Sequence, residues 1–236
     1  RKGNIPEGKV TMSALRHQPL SPLDGRYRDA TKDLGEYFSE AALNRARVQV
    51  EIEWLIALCA AGVADTSPLA AEKIADLRLV ATKFGPAEID AIATYEATTK
   101  HDVKAVEYFV RDVLHTNGLD SSAELVHFVC TSEDIKNVSY ALVTQAGLKD
   151  VWSPALAIVR NRLKELAVLW REEPLLSRTH GQPATPTTFG KELAVFVHRL
   201  DRVSRPIDAV MLPAKFSGAT GTFSAHLSAE PGADWE

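Results

Sequence analysis

The sequence predicts an all-α protein, a small helical region followed by the first long helices of a bundle that this chain leaves incomplete. Three observations carry that expectation. Apolar residues recur at helical spacing along most of the chain, and no stretch alternates with the period of two that a half-buried strand requires. The long segments present apolar stripes too broad to face water, which is how bundle helices look. Only two or three segments are long, so another chain or a further segment is expected to complete the core.

Taken in order, residues 1–11 are polar and broken by Gly3, Pro6 and Gly8. They read as an upstream extension or expression remnant ahead of a natural start at Met12. From Leu43 the positions Ala46, Val50, Trp54, Leu55 and Leu58 share one stripe that ends at Gly62. A second helix runs through Ile74, Leu77 and Val80 to about Lys83, where Gly85-Pro86 breaks it. Ile89 to Tyr95 predicts a short helix. Val103, Val106, Val110, Val113 and Leu114 form a clear amphipathic helix that Asn117-Gly118 closes. After Thr131-Ser132 a long pattern runs from Ile135 to Leu166, with Gly147 and Pro154 placed to bend or divide it. Leu175 to Thr187 reads as a polar, Pro-rich connection. Phe189 begins the next long helix, with Pro206 near its end, and Lys215 to Ala225 is rich in Gly, Ser and Thr.

Composition removes several classes of function. The net charge is −4 over 236 residues, with 45% hydrophobic and 25% charged, so the chain is globular and offers no basic surface for nucleic acid or an anionic membrane. No apolar run approaches the ~20 residues of a membrane helix. Cys59 and Cys130 have apolar neighbours and no metal-ligand spacing, so both read as buried reduced thiols of a cytoplasmic protein. The histidines His101, His127, His180, His198 and His226 form no HxxxH or HxH pair, which argues against a metal site. No G-x-S-x-G elbow and no phosphate-binding P-loop occurs, and no cofactor is called for. His127 and His198 lie within helical patterns and read as packing or surface residues.

Four polar clusters remain. Asp24-Gly25-Arg26-Tyr27 offers a guanidinium fork and a phenol in a turn, although turn chemistry alone also explains it. Thr98 to Asp102, containing Lys100 and His101, enters a helix whose first N–H groups suit an anion. Asp102 could orient His101 or a ligand hydroxyl, or Thr99 or Asp102 could simply cap that helix. Thr131-Ser132 begins another helix, with Asp134 in capping-box register; those hydroxyls can hold a carboxylate or serve only the cap. His180, in Ser177-Arg178-Thr179-His180-Gly181-Gln182-Pro183, stands on a proline-stiffened connection where an imidazole can transfer a proton near neutral pH.

In this order and at these separations, SPLDGRY, TTKHDVKAVEYFV, HFVCTSEDIKN and LLSRTHGQPATPTTFGKE together resemble the N-terminal half of the bacterial adenylosuccinate lyases, members of the fumarase/aspartase superfamily. The resemblance covers about Ser13 to Glu236, and KFSGATGTFSAH sits where the family carries a comparable segment. It implies a helical domain over 12–120 and the first, truncated part of a central bundle over 121–236. It further implies C–N cleavage by β-elimination with release of fumarate. The implied substrates are adenylosuccinate, giving AMP, and succinyl-aminoimidazole-carboxamide ribotide, both of purine biosynthesis. Carried across by motif, His180 is the general acid on the departing nitrogen and Arg26 and Tyr27 bind the phosphate end. Lys100, His101 and Asp102 line the pocket, His101 close to the reacting atoms, and Thr131 and Ser132 hold a succinyl carboxylate. Lys100 stands where some relatives carry a neutral Asn.

The family's base is a Ser on a Gly-Ser-Ser-x-Met-Pro-x-Lys-x-Asn loop, which does not occur in these 236 residues. Family members are homotetramers whose sites combine three subunits. The expectation is therefore an N-terminal portion of a lyase, inactive alone. The alternatives are another fumarate-releasing lyase, such as one acting on argininosuccinate, or a helical assembly fragment without catalysis.

Overall fold

The computed structural model describes residues 19–235; the extension over 1–11 lies outside them. After short helical turns at Arg28–Thr31 and Gly35–Phe38, helix α1 spans Glu40–Ala60. The Ser39 Oγ accepts the Ala42 N–H at 3.1 Å and so caps it. Helices α2 (Ala71–Thr82), α3 (Pro86–Thr99) and α4 (Asp102–Thr116) follow. The stretch expected as a short helix over Ile89–Tyr95 is thus longer at both ends. Pro86 needs no N–H donor at a helix start, and the Gly85 N–H is taken by the Glu88 carboxylate at 2.8 Å.

Helix α1 is the spine of the core. Val48, Ile52, Leu55 and Leu58 pack with Leu77 of α2, Ile92 of α3, and Val106, Val110 and Leu114 of α4, all buried. Burial of each such side chain contributes about 1.5–3 kcal/mol. Beside it, Val50, Val103 and Ile135 form a smaller buried cluster that brings α1 and α4 against the next helix, α5 (Ser132–Gly147).

The long pattern after Thr131 is one helical path with a widened turn. A π-helical stretch over Leu148–Trp152 separates α5 from α6 (Ser153–Leu169). Pro154 lacks the N–H that regular helix would direct to the Asp150 carbonyl, and the wider turn absorbs that loss.

The Pro-rich connection is a β-hairpin, which corrects the expectation of no strands. Strand β1 (Pro174–Thr179) pairs antiparallel with β2 (Gln182–Thr188), with an irregularity between Leu176 and Arg178. Pro183 and Pro186 argued against a strand, but a two-stranded ribbon has two free edges where a missing N–H is harmless. The ribbon leads into α7 (Phe189–Asp208), capped by the Thr188 Oγ1 on the Lys191 N–H at 3.2 Å. The fold class nonetheless stands as predicted, since the chain is mostly helical.

Helix α7 packs along α6, with Arg160 and Asp201 paired at 3.3 Å. No residue of α6 is fully buried. Ile158, Val159, Val168 and Leu169 on α6 and Phe196 and Val203 on α7 are exposed. The loop after α7 returns to the core, where Phe216 meets Trp54 at 4.5 Å between ring centroids, and ends in α8 (Ser224–Ala229).

Two glycines mark close approaches. A Cβ on Gly190 would lie 2.3 Å from the Ala167 carbonyl oxygen and 2.6 Å from the Arg171 backbone, whereas one on Gly147 would meet the tip of the Phe38 ring at 2.6 Å. Backbone cannot yield as a ring can. Gly190→Ala is therefore expected to destabilise the chain by about 2 kcal/mol or more and Gly147→Ala by clearly less, read as the shift in urea midpoint of each variant.

Candidate active site

Five of the predicted site residues, Lys100, His101, Asp102, Thr131 and Ser132, fall at helix starts or ends beside one buried cluster. Lys100 ends α3 in the left-handed conformation at φ 55°, its N–H on the Glu96 carbonyl at 2.8 Å. His101 is extended and caps α4, its Nδ1 accepting the Lys104 N–H at 3.2 Å. The cap is thus His101, not Thr99 or Asp102. With Nδ1 accepting, the proton of the neutral ring sits on Nε2, so the exposed edge of His101 is a donor.

Asp102 does not serve His101 first. It takes Arg47 of α1 at 2.7 Å and Lys136 of α5 at 3.2 Å, while His101 Nδ1 is 3.6 Å from it. Burial works to raise its carboxyl, but the Arg47 and Lys136 charges outweigh that and hold it below its ordinary value. Arg47 is itself buried and braced by the Asn44 side chain at 2.8 Å. A cleft of about 400 Å³ opens here, lined by Tyr37, Phe38, Arg47, Asp102 and Tyr140 among others.

Thr131 and Ser132, both half-buried, start α5 beside that corner, because Val103 and Ile135 share a buried cluster directly behind the two helix starts. The capping box is present. Asp134 does more than cap: its buried carboxylate takes the Thr131 N–H at 2.9 Å, Lys215 Nζ at 2.6 Å, and the Ser217 and Gly218 N–H groups at 3.1 Å each. Burial would raise this carboxyl, yet Lys215 and the backbone donors hold it below its ordinary value.

The other two clusters are exposed turns. His180 and Gly181 form the hairpin turn with φ of 48° and 77°, the pattern of a type I′ turn. The imidazole is exposed, held by a strained backbone at the ribbon's tip. Arg26 lies over the Tyr27 ring at 4.8 Å, both exposed. Among the described residues no hydrogen bond or ion pair joins His180, Arg26 or Tyr27 to the Asp102 corner.

Sequence reasoning missed a buried charge cluster behind the site. His127 was read as part of a helix; it lies in a loop at φ 61°. Its N–H and Nδ1 bond the fully buried Glu51 at 3.1 and 2.7 Å, and Nε2 stands 3.6 Å from the buried Glu107, which also pairs with Lys104. A signal existed, since Arg47, Glu51 and Glu107 sit in phase with the apolar stripes of α1 and α4. Cys59 is buried as expected, whereas Cys130 is only partly so; both are free. Burial first, then the Glu51 and Asp134 charges, push the Cys130 thiol up, which favours the protonated form over the nucleophilic thiolate.

His226 contrasts with His127. It is fully buried among Trp54, Phe223 and Trp235, at ring distances of 6.2, 5.2 and 5.0 Å, and neither ring nitrogen has a hydrogen-bond partner.

With the geometry in hand, comparisons place the chain. The sequence model of the lyase family matches residues 25–234, and the chain belongs to that family. It is 44% identical over 218 residues to adenylosuccinate lyase of Escherichia coli K12, covering 92% of this chain and 48% of that protein. Against the enzyme of the same name from Legionella pneumophila strain Corby it is 42% identical, covering 96% of this chain and 50% of the relative. The chain thus spans about half the length of the curated relatives it matches. Its fold is that of a fumarate lyase from Mesorhizobium sp. BNC1, with a TM-score of 0.66 at 24% identity over 82% of this chain and 44% of that one. A 3-carboxy-cis,cis-muconate lactonizing enzyme from Pseudomonas putida gives 0.67 at 24% identity, over 85% and 45%. Among the described residues no helix is long and apolar enough to cross a membrane.

His127, half-buried, and His226, buried, should titrate on opposite sides of the ordinary imidazole value of 6.5. Burial holds His226 down. At His127 burial also works downward, but the Glu51 hydrogen bond and the Glu51 and Glu107 charges overcome it and raise the value. Protonating His226 favours the unfolded chain, so its contribution to stability is lost as pH falls through 6.5. The His127 contribution is complete below 6.5 and is lost as pH rises through its raised value. Imidazole resonances followed by NMR from pH 4.5 to 8.5 are expected to show His127 above and His226 below 6.5.

Proposed function

We propose that this chain is the part of an adenylosuccinate lyase that supplies the general acid and the anion-binding corner. The reaction is β-elimination of fumarate from adenylosuccinate, giving AMP, and from succinyl-aminoimidazole-carboxamide ribotide, in purine biosynthesis in the cytoplasm. The observation that carries this reading is the pairing of two helix starts, His101-Asp102 and Thr131-Ser132, over one buried cluster. On this reading the two hydroxyls and the His101 Nε2–H serve as donors to a dianionic succinyl group.

Each residue has a physical task on this reading. Removing the proton beside a carboxylate drives negative charge onto it, and Thr131 and Ser132 hold that carboxylate. His101 lies near the reacting atoms, with Lys100 beside it as a cation. Asp102, already held by Arg47 and Lys136, keeps the corner rigid and lines the pocket. His180 gives its proton to the departing nitrogen, and Arg26 with Tyr27 takes the phosphate, whose binding positions the succinyl arm. No metal or redox cofactor enters the reaction. The base is a serine outside these residues. On this reading His180, Arg26 and Tyr27 meet the corner in a homotetramer that assembles each site from several subunits. The division into a helical domain to residue 120 and the start of a bundle from 121 follows the same reading.

The test is fumarate release by the natural protein that carries this chain, assayed on the two succinyl nucleotides and on argininosuccinate. Turnover of the nucleotides is expected, with kcat lowered about 10²–10⁴-fold in His180→Ala. The 236 residues alone are expected to show none. Turnover of argininosuccinate in place of the nucleotides overturns the assignment, and robust turnover by the 236 residues shows that the base is misplaced.

A further inference from the structure

We propose that Asp134 is a positioning residue that fixes the Thr131–Ser132 helix start and the Lys215–Gly218 turn as one rigid wall, with Lys215 cancelling the charge behind the bound carboxylate. The inference rests on the lyase reading for what the wall holds; the joint itself rests on geometry alone.

A capping box needs one bond from the third helical residue back to the cap. Asp134 makes that bond, to the Thr131 N–H at 2.9 Å, and takes three further donors from a segment more than eighty residues away: Lys215 Nζ, the Ser217 N–H and the Gly218 N–H. Each carboxylate oxygen receives two donors, so the group is saturated. Asn137, one turn along α5, reads the same segment independently. Its Oδ1 accepts the Lys215 N–H at 2.7 Å and its Nδ2 donates to the Lys215 carbonyl at 2.9 Å. Lys215 Nζ closes the turn by donating to the Gly218 carbonyl at 2.7 Å. Gly218 has φ +79°, and a Cβ there would touch the His226 ring. Register and shape of residues 215–218 are therefore set from α5.

Two consequences follow for an anionic ligand. Withdrawing either segment strands donors on a buried carboxylate, so the segments separate together or not at all. Asp134 also places a negative charge directly behind the hydroxyls meant to hold a carboxylate. Without Lys215 that charge would repel the ligand; with it, the wall is neutral and its N–H and O–H dipoles act unopposed.

Two measurements test this. In the 236-residue chain, amide hydrogen exchange is read at Thr131, Ser217 and Gly218. Asp134→Asn is expected to lower protection at all three together, and Asn137→Ala to lower it at Ser217 and Gly218 first. Loss at Thr131 with protection kept at Ser217 and Gly218 in Asp134→Asn overturns the joint. In the natural protein carrying the chain, Lys215→Met is expected to raise KM for the succinyl nucleotide about tenfold with kcat within about threefold, as for loss of a charge that compensates ground-state binding. The double variant Asp134→Asn/Lys215→Met is expected to recover most of that KM, because no uncompensated charge remains behind the hydroxyls. A support role alone predicts a double variant worse in KM as well, and that result, or an unchanged KM in folded Lys215→Met, overturns the charge-compensating role. Absence of turnover on every succinyl nucleotide overturns the lyase reading instead, and hydrogen exchange then decides the joint by itself.

Discussion

The corner depends on one carboxylate held between two cations. Asp102 begins α4, Arg47 reaches it from α1 and Lys136 from α5, at 2.7 and 3.2 Å. Desolvating a guanidinium as buried as Arg47 costs several kcal/mol, and a bare hydrophobic substitute would often be as stable. What the ion pairs supply is a unique arrangement: apolar side chains alone allow helices to slide, whereas a charge that must meet its partner fixes rotation and height. Glu51 with His127, and Asp134 with Lys215, repeat the device on either side. Three acids, Glu51 and Asp134 buried and Asp102 partly so, each tied to a basic side chain, define where α1, α4 and α5 stop relative to one another. His101, Thr131 and Ser132 lie at the helix starts next to those stops.

Backbone strain marks the same places. Among the non-glycine residues with positive φ are Lys100, His127, Val129 and His180. Val129 is the most telling, since a β-branched side chain strongly disfavours that region. It lies two residues before Thr131, in a loop whose Phe128 carbonyl accepts the Trp54 indole N–H at 3.0 Å and whose His127 is pinned by Glu51. Strain of order 1–3 kcal/mol per residue persists only where surroundings over-determine the conformation. Here the buried charges do so, and the strain aims Thr131 and Ser132 at the corner.

Much of this was legible in the sequence because it is local. Helical phase, the Gly85-Pro86 break, the Gly118 stop and the capping box of Thr131 and Asp134 each depend on residues within a few positions. So do the helix starts that present His101 and Thr131. What escaped depends on distance in the chain or on competing local signals. Lys215 finds Asp134 across 81 residues, and no window shows it. Glu51 and Glu107 were passed over because a stripe is read for its apolar members, although in-phase acids are the clue to a buried counter-charge. The hairpin was hidden by its prolines, and His180-Gly181, which reads as loop, is the I′ turn that makes the ribbon possible. His127 looked helical because its neighbours are apolar, but its positive φ and its two carboxylates make it a pin instead.

The two parts of the structure differ in what holds them. The corner stands on the α1–α4 core and its paired charges. His180 stands at the end of a largely exposed ribbon, carried by α6 and α7. An isolated two-stranded ribbon is marginal in water, and this one is steadied mainly by α7 and by Phe189 meeting Trp170 at 5.0 Å. Helix α6 buries no residue fully, and both helices show apolar side chains to solvent. Faces of that kind acquire their rigidity from whatever covers them. The His180 imidazole is therefore placed only as well as α6 and α7 are packed, whereas the Asp102 corner is already set by its own charges. If the proposed lyase reading holds, binding of the succinyl carboxylate and delivery of the proton would be separable properties, the first set by the α1–α5 assembly and the second by whatever covers α6 and α7.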